Sequence, residues 1–463
     1  MHNFDPDLAE IRFGYGLSPV LAPPQGVDEL LAGLAGPDRI QQRFPIESFS
    51  QFRMRMVAAQ KQHQIRRENR GTELAQKARK QQRVVNREAR VAMIGWLGQT
   101  MLRRTHTPSA FRERLVAFWA DHFTALGKQG VIRRATSPYI EEAIRPFVAS
   151  RFADLLQATV MHPLMLDYLD QHKSIGPNSA RAAKLGASAV RGVNENLARE
   201  VLELHTLGVE GPYSQTDVTQ LAELFTGLSF GAPNGFVFRK DFAEPGAETV
   251  MGVSYGTDAS VQPIRDVLNN LAMHPATARH LARKLAVHFT SDTPDPSLID
   301  ALEAAYLAHD GHLAPVYQAL LEHPAAWDPV LSNVKLPIDF VSSTLRALAV
   351  PKDHFQGRKE KWFRRWLGTP LAQMGQVWER PQGPDGWAES DAAWITPQGV
   401  AHRVMWAMAA PPNLVRGLPD PRMFVDKALG RFANETVRFA AASADNRPEA
   451  IGLVLMSPAF QRR

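Results

Sequence analysis

The sequence predicts a mainly α protein: a large multi-helix globular body with a small β-hairpin and a long basic helical arm. Three observations predict it. Apolar residues recur at helical spacing in segment after segment, without the strand–helix–strand alternation that builds a parallel sheet. One stretch alone alternates with a period of two, "GFVFRKDF" and "AETVMGVSY" flanking a Pro-Gly turn, which gives a small hairpin within 231–258. Residues 53–104 hold no proline and only Gly71, Gly95 and Gly98, and so read as one long helix or two consecutive ones, an arm over 53–105. At 463 residues, 44% hydrophobic and 22% charged, the chain can bury a large core, and no solenoid-like repeat divides it. The reading is a single α-rich domain over 1–463.

The elements follow in order. Residues 1–50 are short helices with proline-rich breaks, among them "GVDELLAGLAGPDR", which has an acid near its start and Gly-Pro at its end. Between Arg53 and Arg90, twelve Lys/Arg face Glu68, Glu73 and Glu88, a local +9 within a chain of net charge +6. Apolar residues are sparse there, as expected of a solvated face; a basic surface for an anionic partner is the alternative. "HTPSAFRERLVAFWADHF" restarts a helix over 109–126, and at 100° per residue Phe111, Leu115, Phe118 and His122 fall on one stripe. Asp121 lies off it. "MHPLMLDYLDQ" begins at His162-Pro163. The loop Gln171 to Val193 follows, with Lys173, Arg181, Lys184 and Arg191 and no acid. A loop this long is functional or a plain connector. In "NENLAREVLELHTLG", 194–208, His205 sits among Leu197, Ala198, Val201 and Leu202, while Glu195, Arg199 and Glu203 form an i, i+4, i+8 ladder on the far face. Ser214 and Asp217 form a capping box. "MHPATARHLARKLAVHF" is a helix begun at Pro275, and residues 296–324 are a helical hairpin closed by Asp310-Gly311. The last third is helical apart from the loop Glu379 to Pro397, which carries Trp387 and Trp394.

Composition narrows the chemistry. With no cysteine, disulfides, thiolate metal sites and iron–sulfur clusters are excluded. No apolar run is long enough to span a bilayer. The N-terminus has no signal-peptide pattern, so the expected location is cytoplasmic, or exported together with a partner. There is no P-loop, no GxGxxG fingerprint and no HExxH zinc motif. The positive charge is local, which argues against nucleic acid.

The histidines stand out. A buried imidazole must find hydrogen-bond partners or a metal. His122 and His205 on two apolar faces are therefore candidate ligands or acid/base groups, although a satisfied core histidine is the commoner outcome. His162, His274 and His323 each precede proline at a helix start, where they would either cap the helix or join such a site. The candidate catalytic set is His205, His122, Glu200 and Arg199. The candidate metal set is His122, His205, Asp121 and Glu203, for a divalent metal, with haem as another cofactor such residues would suit. Lys173, Arg181, Asn194 and Trp387 are candidate substrate contacts, the cations for an anionic group and Trp387 for stacking. These groups suit metal- or cofactor-assisted hydrolysis or oxidation of a polar or anionic substrate; a non-enzymatic helical partner or accessory subunit is the rival reading.

"FWADHF" (118–123), "HPLMLDYLD" (162–170), "NENLAREVLELHTLGVEGPYSQTDV" (194–218), "HPATARHLARKLAVHF" (274–289) and "PDGWAESDAAW" (384–394), in this order, resemble the bacterial family called domain of unknown function 1800. The resemblance runs over nearly the whole chain. It implies a bacterial protein and a frequent partner, an exported sulfatase-like protein, but no settled activity. The family tends to carry a histidine before the acidic-Pro-Gly turn; this chain has Ala243 before Glu244-Pro245-Gly246, so the hairpin is left out of the candidate site.

Overall fold

A helix of 34 residues, Glu73–His106, is the axis about which the molecule is organised. In this computed structural model, which describes residues 4–185, 193–256 and 258–463, that helix serves two cores. Val85, Ala89 and Trp96 pack into a first core formed by residues from Leu8 to Trp327. Ile94, Leu97, Met101 and Leu102 pack into a second, made mostly by residues from Ile338 to Phe460.

The basic segment is a helical hairpin. Ser48 starts Phe49–Glu68 with a capping box, Asn69–Thr72 turns the chain, and Thr72 caps the long helix that runs back. The alternation around the Pro-Gly turn misleads about strand pairing. The structure has two separate two-stranded antiparallel sheets, Leu228–Gly231 with Gly235–Phe238 and Glu248–Val250 with Val253–Tyr255. The turns that close them are at 232–234 and at Met251-Gly252, where both residues hold positive φ (52° and 77°). Glu244 beside the Pro-Gly instead takes the backbone N–H of Asn178.

Between the cores lies a layer of buried ion pairs. Asp339, on the Pro337–Ala347 helix, accepts from Arg104 (3.2 Å) and from Arg114. Glu113 accepts twice from Arg145 (2.7 and 2.8 Å), and Glu141 from Arg103. Each guanidinium meets a carboxylate, as burial of a charge demands.

Several local expectations hold at atomic detail. The Nδ1 atoms of His162, His274 and His323 accept the N–H two residues on (3.1, 3.1 and 3.2 Å), so all three are helix caps. Ser214 and Asp217 form their capping box, and Asp310-Gly311 closes the hairpin of Pro296–Ala308 with Leu313–Glu322. The described part of 171–193 includes a turn Gln171–Lys173 and a helix Ala180–Leu185. Arg191 lies outside the described residues.

Candidate functional site

Three elements converge: the helix Ala110–His122, the segment Asn196–Glu200 continued by Val201–His205, and the helix Pro275–Phe289. The second departs from the expected plain α-helix. Val201–His205 is one turn of π-helix, a wider winding that recurs at functional sites. Such a turn ends with carbonyls that lack a helical partner. His122 Nε2 lies 3.2 Å from the His205 carbonyl and His280 Nε2 3.1 Å from the Leu204 carbonyl, so each imidazole N–H donates to one of them.

His122 and His205 therefore do meet, with ring centroids 5.9 Å apart. Both are buried. His122 has a structural partner. His205, 1% exposed, has none among the described residues: both of its ring nitrogens are buried and unpartnered, with Phe123 5.0 Å away. Burial, with the charge of Lys284 nearby, pushes the His205 imidazole down to about 3. The same causes push His280 to about 4 and His122 down as well. All three rings are neutral near pH 7.

His280, Lys284 and His288 form a stripe at four-residue spacing on Pro275–Phe289. The spacing is visible in "RHLARKLAVH" and is the sequence signal for them. Burial lowers the Lys284 ammonium, against the carboxylates of Asp121, Glu389 and Asp385. His288 Nδ1 is 2.9 Å from Glu389 Oε1.

Asp121 adjoins His122 in sequence but serves another space. Burial, then the charge of Glu389, raises its carboxyl to about 7. Its Oδ1 accepts the Trp387 backbone N–H at 2.9 Å. Gly386 presses so close that a Cβ there would lie 2.6 Å from Oδ2, and its φ is +82°. The Pro-Asp-Gly-Trp loop thus clamps the carboxyl and needs glycine to do so. Asp121, Thr124, Ser137, Trp378, Glu379 and Trp387 line a cavity of about 150 Å³ at the seam between the cores. Burial raises Glu379 to about 8, and the Ser137 hydroxyl donates to it. Glu379 holds φ 51°, unusual for a residue other than glycine.

The other expected residues divide. Glu200 is half-buried, and burial together with the charges of Glu203 and Asp385 raises it to about 7. Arg199 joins the expected ladder with Glu195 (3.1 Å) and Glu203 (3.3 Å) on the outer face. Glu203 is therefore taken up by an ion pair. His122, His205, Asp121 and Glu203 do not assemble as one group, and among the described residues no three His, Asp or Glu side chains are placed to hold a metal ion. Lys173 is exposed and paired to Asp170 (2.6 Å). Arg181 lies over the Phe242 ring, 5.9 Å from its centroid. Asn194 staples its loop by donating to the Leu169 carbonyl at 2.7 Å. Trp387 reaches the site, but Trp394 is buried with its indole N–H on the Ala388 carbonyl (2.8 Å), and the two rings are tilted by 59°. They form no flat platform. Gly227–Gly231 spells a Gly-x-Ser-x-Gly pattern, yet Ser229 is buried in a strand opposite Val237 rather than on a strand-to-helix elbow.

Among known proteins, no curated protein and no solved structure matches the chain. Among the described residues no helix is long and apolar enough to cross a membrane. The family model described as "Protein of unknown function (DUF1800)" matches residues 10–462, and the chain belongs to that family.

Proposed function

We propose that the chain is an enzyme of the acid–base type, transferring a proton through Asp121 to or from a polar substrate held in the seam cavity. Hydrolysis is the simplest such reaction, with water as the only co-reactant. The observation that carries the reading is the Asp121 carboxyl. It is poised at about 7, fixed through one oxygen by the Trp387 N–H, and lines the cavity. A general acid or base works best with its pKa near the operating pH, and burial is how proteins tune carboxyls upward. Lys284 behind it supplies positive charge, and His122 and His280 hold the π turn that carries His205. Of the expected metal ligands, His205 alone keeps both ring nitrogens open; a single histidine makes a weak metal site.

The test is turnover of chromogenic esters, phosphates and glycosides between pH 5 and 9 by wild type and Asp121→Asn. The asparagine variant should lose about 10²–10⁴-fold and the pH-profile limb near 7. Carbon-13 NMR of Asp121 should show it titrating near 7. Titration near 4, or undiminished turnover by the variant, overturns the reading.

One observation favours a second reading, a docking protein. On the helical hairpin Lys77 pairs with Glu73 and Arg90 with Glu360, whereas Arg66, Arg67, Arg79 and Lys80 are exposed without an ion-pair partner among the described residues. An acidic partner would then be lost from pull-downs when these four become Glu. The sulfatase-like identity of such a partner finds no support in the comparisons.

A further inference from the structure

We infer that the seam cavity binds a neutral polyhydroxylated ligand, a sugar ring or polyol, through the Trp378 indole N–H and the Glu379 carboxyl. This rests on the reading of the cavity as the substrate site and names its substrate class.

Charge comes first. Several arginines line the cavity, but each is committed: Arg103 to Glu141, Arg145 to Glu113, and Arg104 and Arg114 to Asp339. His288 is committed to Glu389. Among the described lining residues no cation is left over for a phosphate or a carboxylate. Of the acids without a lining arginine, Asp121 and Glu379 are both raised by burial, and the ionised Glu389 is balanced by the charges of Arg463 and Lys284, so the walls offer no unbalanced charge to a cation either. A charged ligand would enter unpaired, at the cost that burial of any unpaired charge carries.

Hydrogen-bonding capacity points the same way. Trp378 Nε1 is buried and has no partner among the described residues, and an indole N–H only donates. Glu379 Oε1 accepts from Ser137, which leaves its second oxygen to carry the proton and donate. The Thr124 and Thr136 hydroxyl hydrogens are used on the Asp121 and Ala125 carbonyls, so their oxygens face the cavity as acceptors. Interleaved donors and acceptors match hydroxyl groups, which do both. The rings of Trp378 and Trp387 add apolar faces, as C–H-rich sugar faces require. The volume, about 150 Å³, is of the size that holds one six-membered ring. The left-handed backbone of Glu379 aims its carboxyl here against the ordinary preference of its φ.

The probes are methyl glucoside, methyl galactoside, N-acetylglucosamine, xylitol, glucose 6-phosphate and glucuronate, followed by calorimetry and by the Trp378 indole proton resonance. At least one neutral probe should bind at or below roughly 10 mM and shift that resonance, and the anionic probes should bind at least tenfold more weakly. Trp378→Phe removes an N–H that the fold does not use, and should weaken binding by about tenfold, the size of one hydrogen bond. Glu379→Gln should keep the fold and weaken binding as well. Asp121→Asn should still bind within about threefold, which separates this inference from the acid–base reading: binding without turnover in that variant supports both. Turnover in the wild type without binding of a neutral probe overturns this inference alone. Failure of every neutral probe, tighter binding of an anionic one, or undiminished binding by Trp378→Phe overturns it.

Discussion

Replacing His205 by leucine should make the protein more stable, and increasingly so as the pH falls. Leucine is close to imidazole in size and has no polar atom. His205 is 1% exposed with two unpartnered ring nitrogens, and a buried polar group left unpaired costs about 1–3 kcal/mol. His205→Leu should recover about that much at pH 7.5. Protonation adds a second contribution. The folded imidazole sits at about 3, against about 6.5 in an unfolded chain. Because the folded-state value is depressed, the wild type has its full stability above about 6.5 and loses it as the pH falls toward 3, where the unfolded chain takes up a proton that the folded one refuses. The variant lacks this loss. Its advantage should therefore widen by about 1.4 kcal/mol between pH 7.5 and 5.5, while contributions from His122 and His280, common to both proteins, cancel. Urea unfolding followed by circular dichroism at pH 7.5, 6.5 and 5.5 measures both effects. A variant destabilised at pH 7.5, or an advantage that does not change with pH, would refute the reasoning and mean that the imidazole is engaged by a partner.

Gly386→Ala would force a Cβ to within 2.6 Å of Asp121 Oδ2 at a φ of +82°, and should cost about 10²-fold in turnover through misplacement of the loop; a fully active alanine variant would contradict the clamp. Asp339→Ala leaves Arg104 and Arg114 buried without their carboxylate, and should destabilise by about 3–5 kcal/mol in chemical unfolding. Ala349 holds φ 46° just past the helix Pro337–Ala347. Ala349→Gly should stabilise by about 0.5–1 kcal/mol, visible as a higher urea midpoint at unchanged slope.

What was legible in the sequence is what depends on neighbours a few residues away. The stripe Phe111, Leu115, Phe118 and His122 is buried as its spacing says. The Ser214 capping box and the Asp310-Gly311 turn are local chemistry read correctly. The expected company of His205, His122, is there because two apolar faces must share one core. Long-range features were not legible. The π turn is held by imidazoles 83 and 76 residues away from the carbonyls they cap. The Arg114–Asp339 pair spans 225 residues, so nothing local marks either residue as buried. Strand pairing is not legible either, because alternation persists through 235–255 while the turns at 232–234 and Met251-Gly252 decide which strands meet. Nothing in the sequence marks Glu379, whose importance lies in a backbone angle and a cavity that no side-chain pattern reports.

The π turn at Val201–His205 has a consequence for chain length. Such a turn holds one residue more than the α-helix would need, so deleting a single residue between Val201 and Leu204 would let the segment relax into ordinary helix. The chain that follows would keep its place, because the surplus residue is absorbed within the wider turn. Every ring at the site would survive such a deletion, yet the bulge would be gone, and with it the outward carbonyls to which His122 and His280 donate. The acceptors of those two imidazoles are thus encoded by counting residues as much as by choosing them.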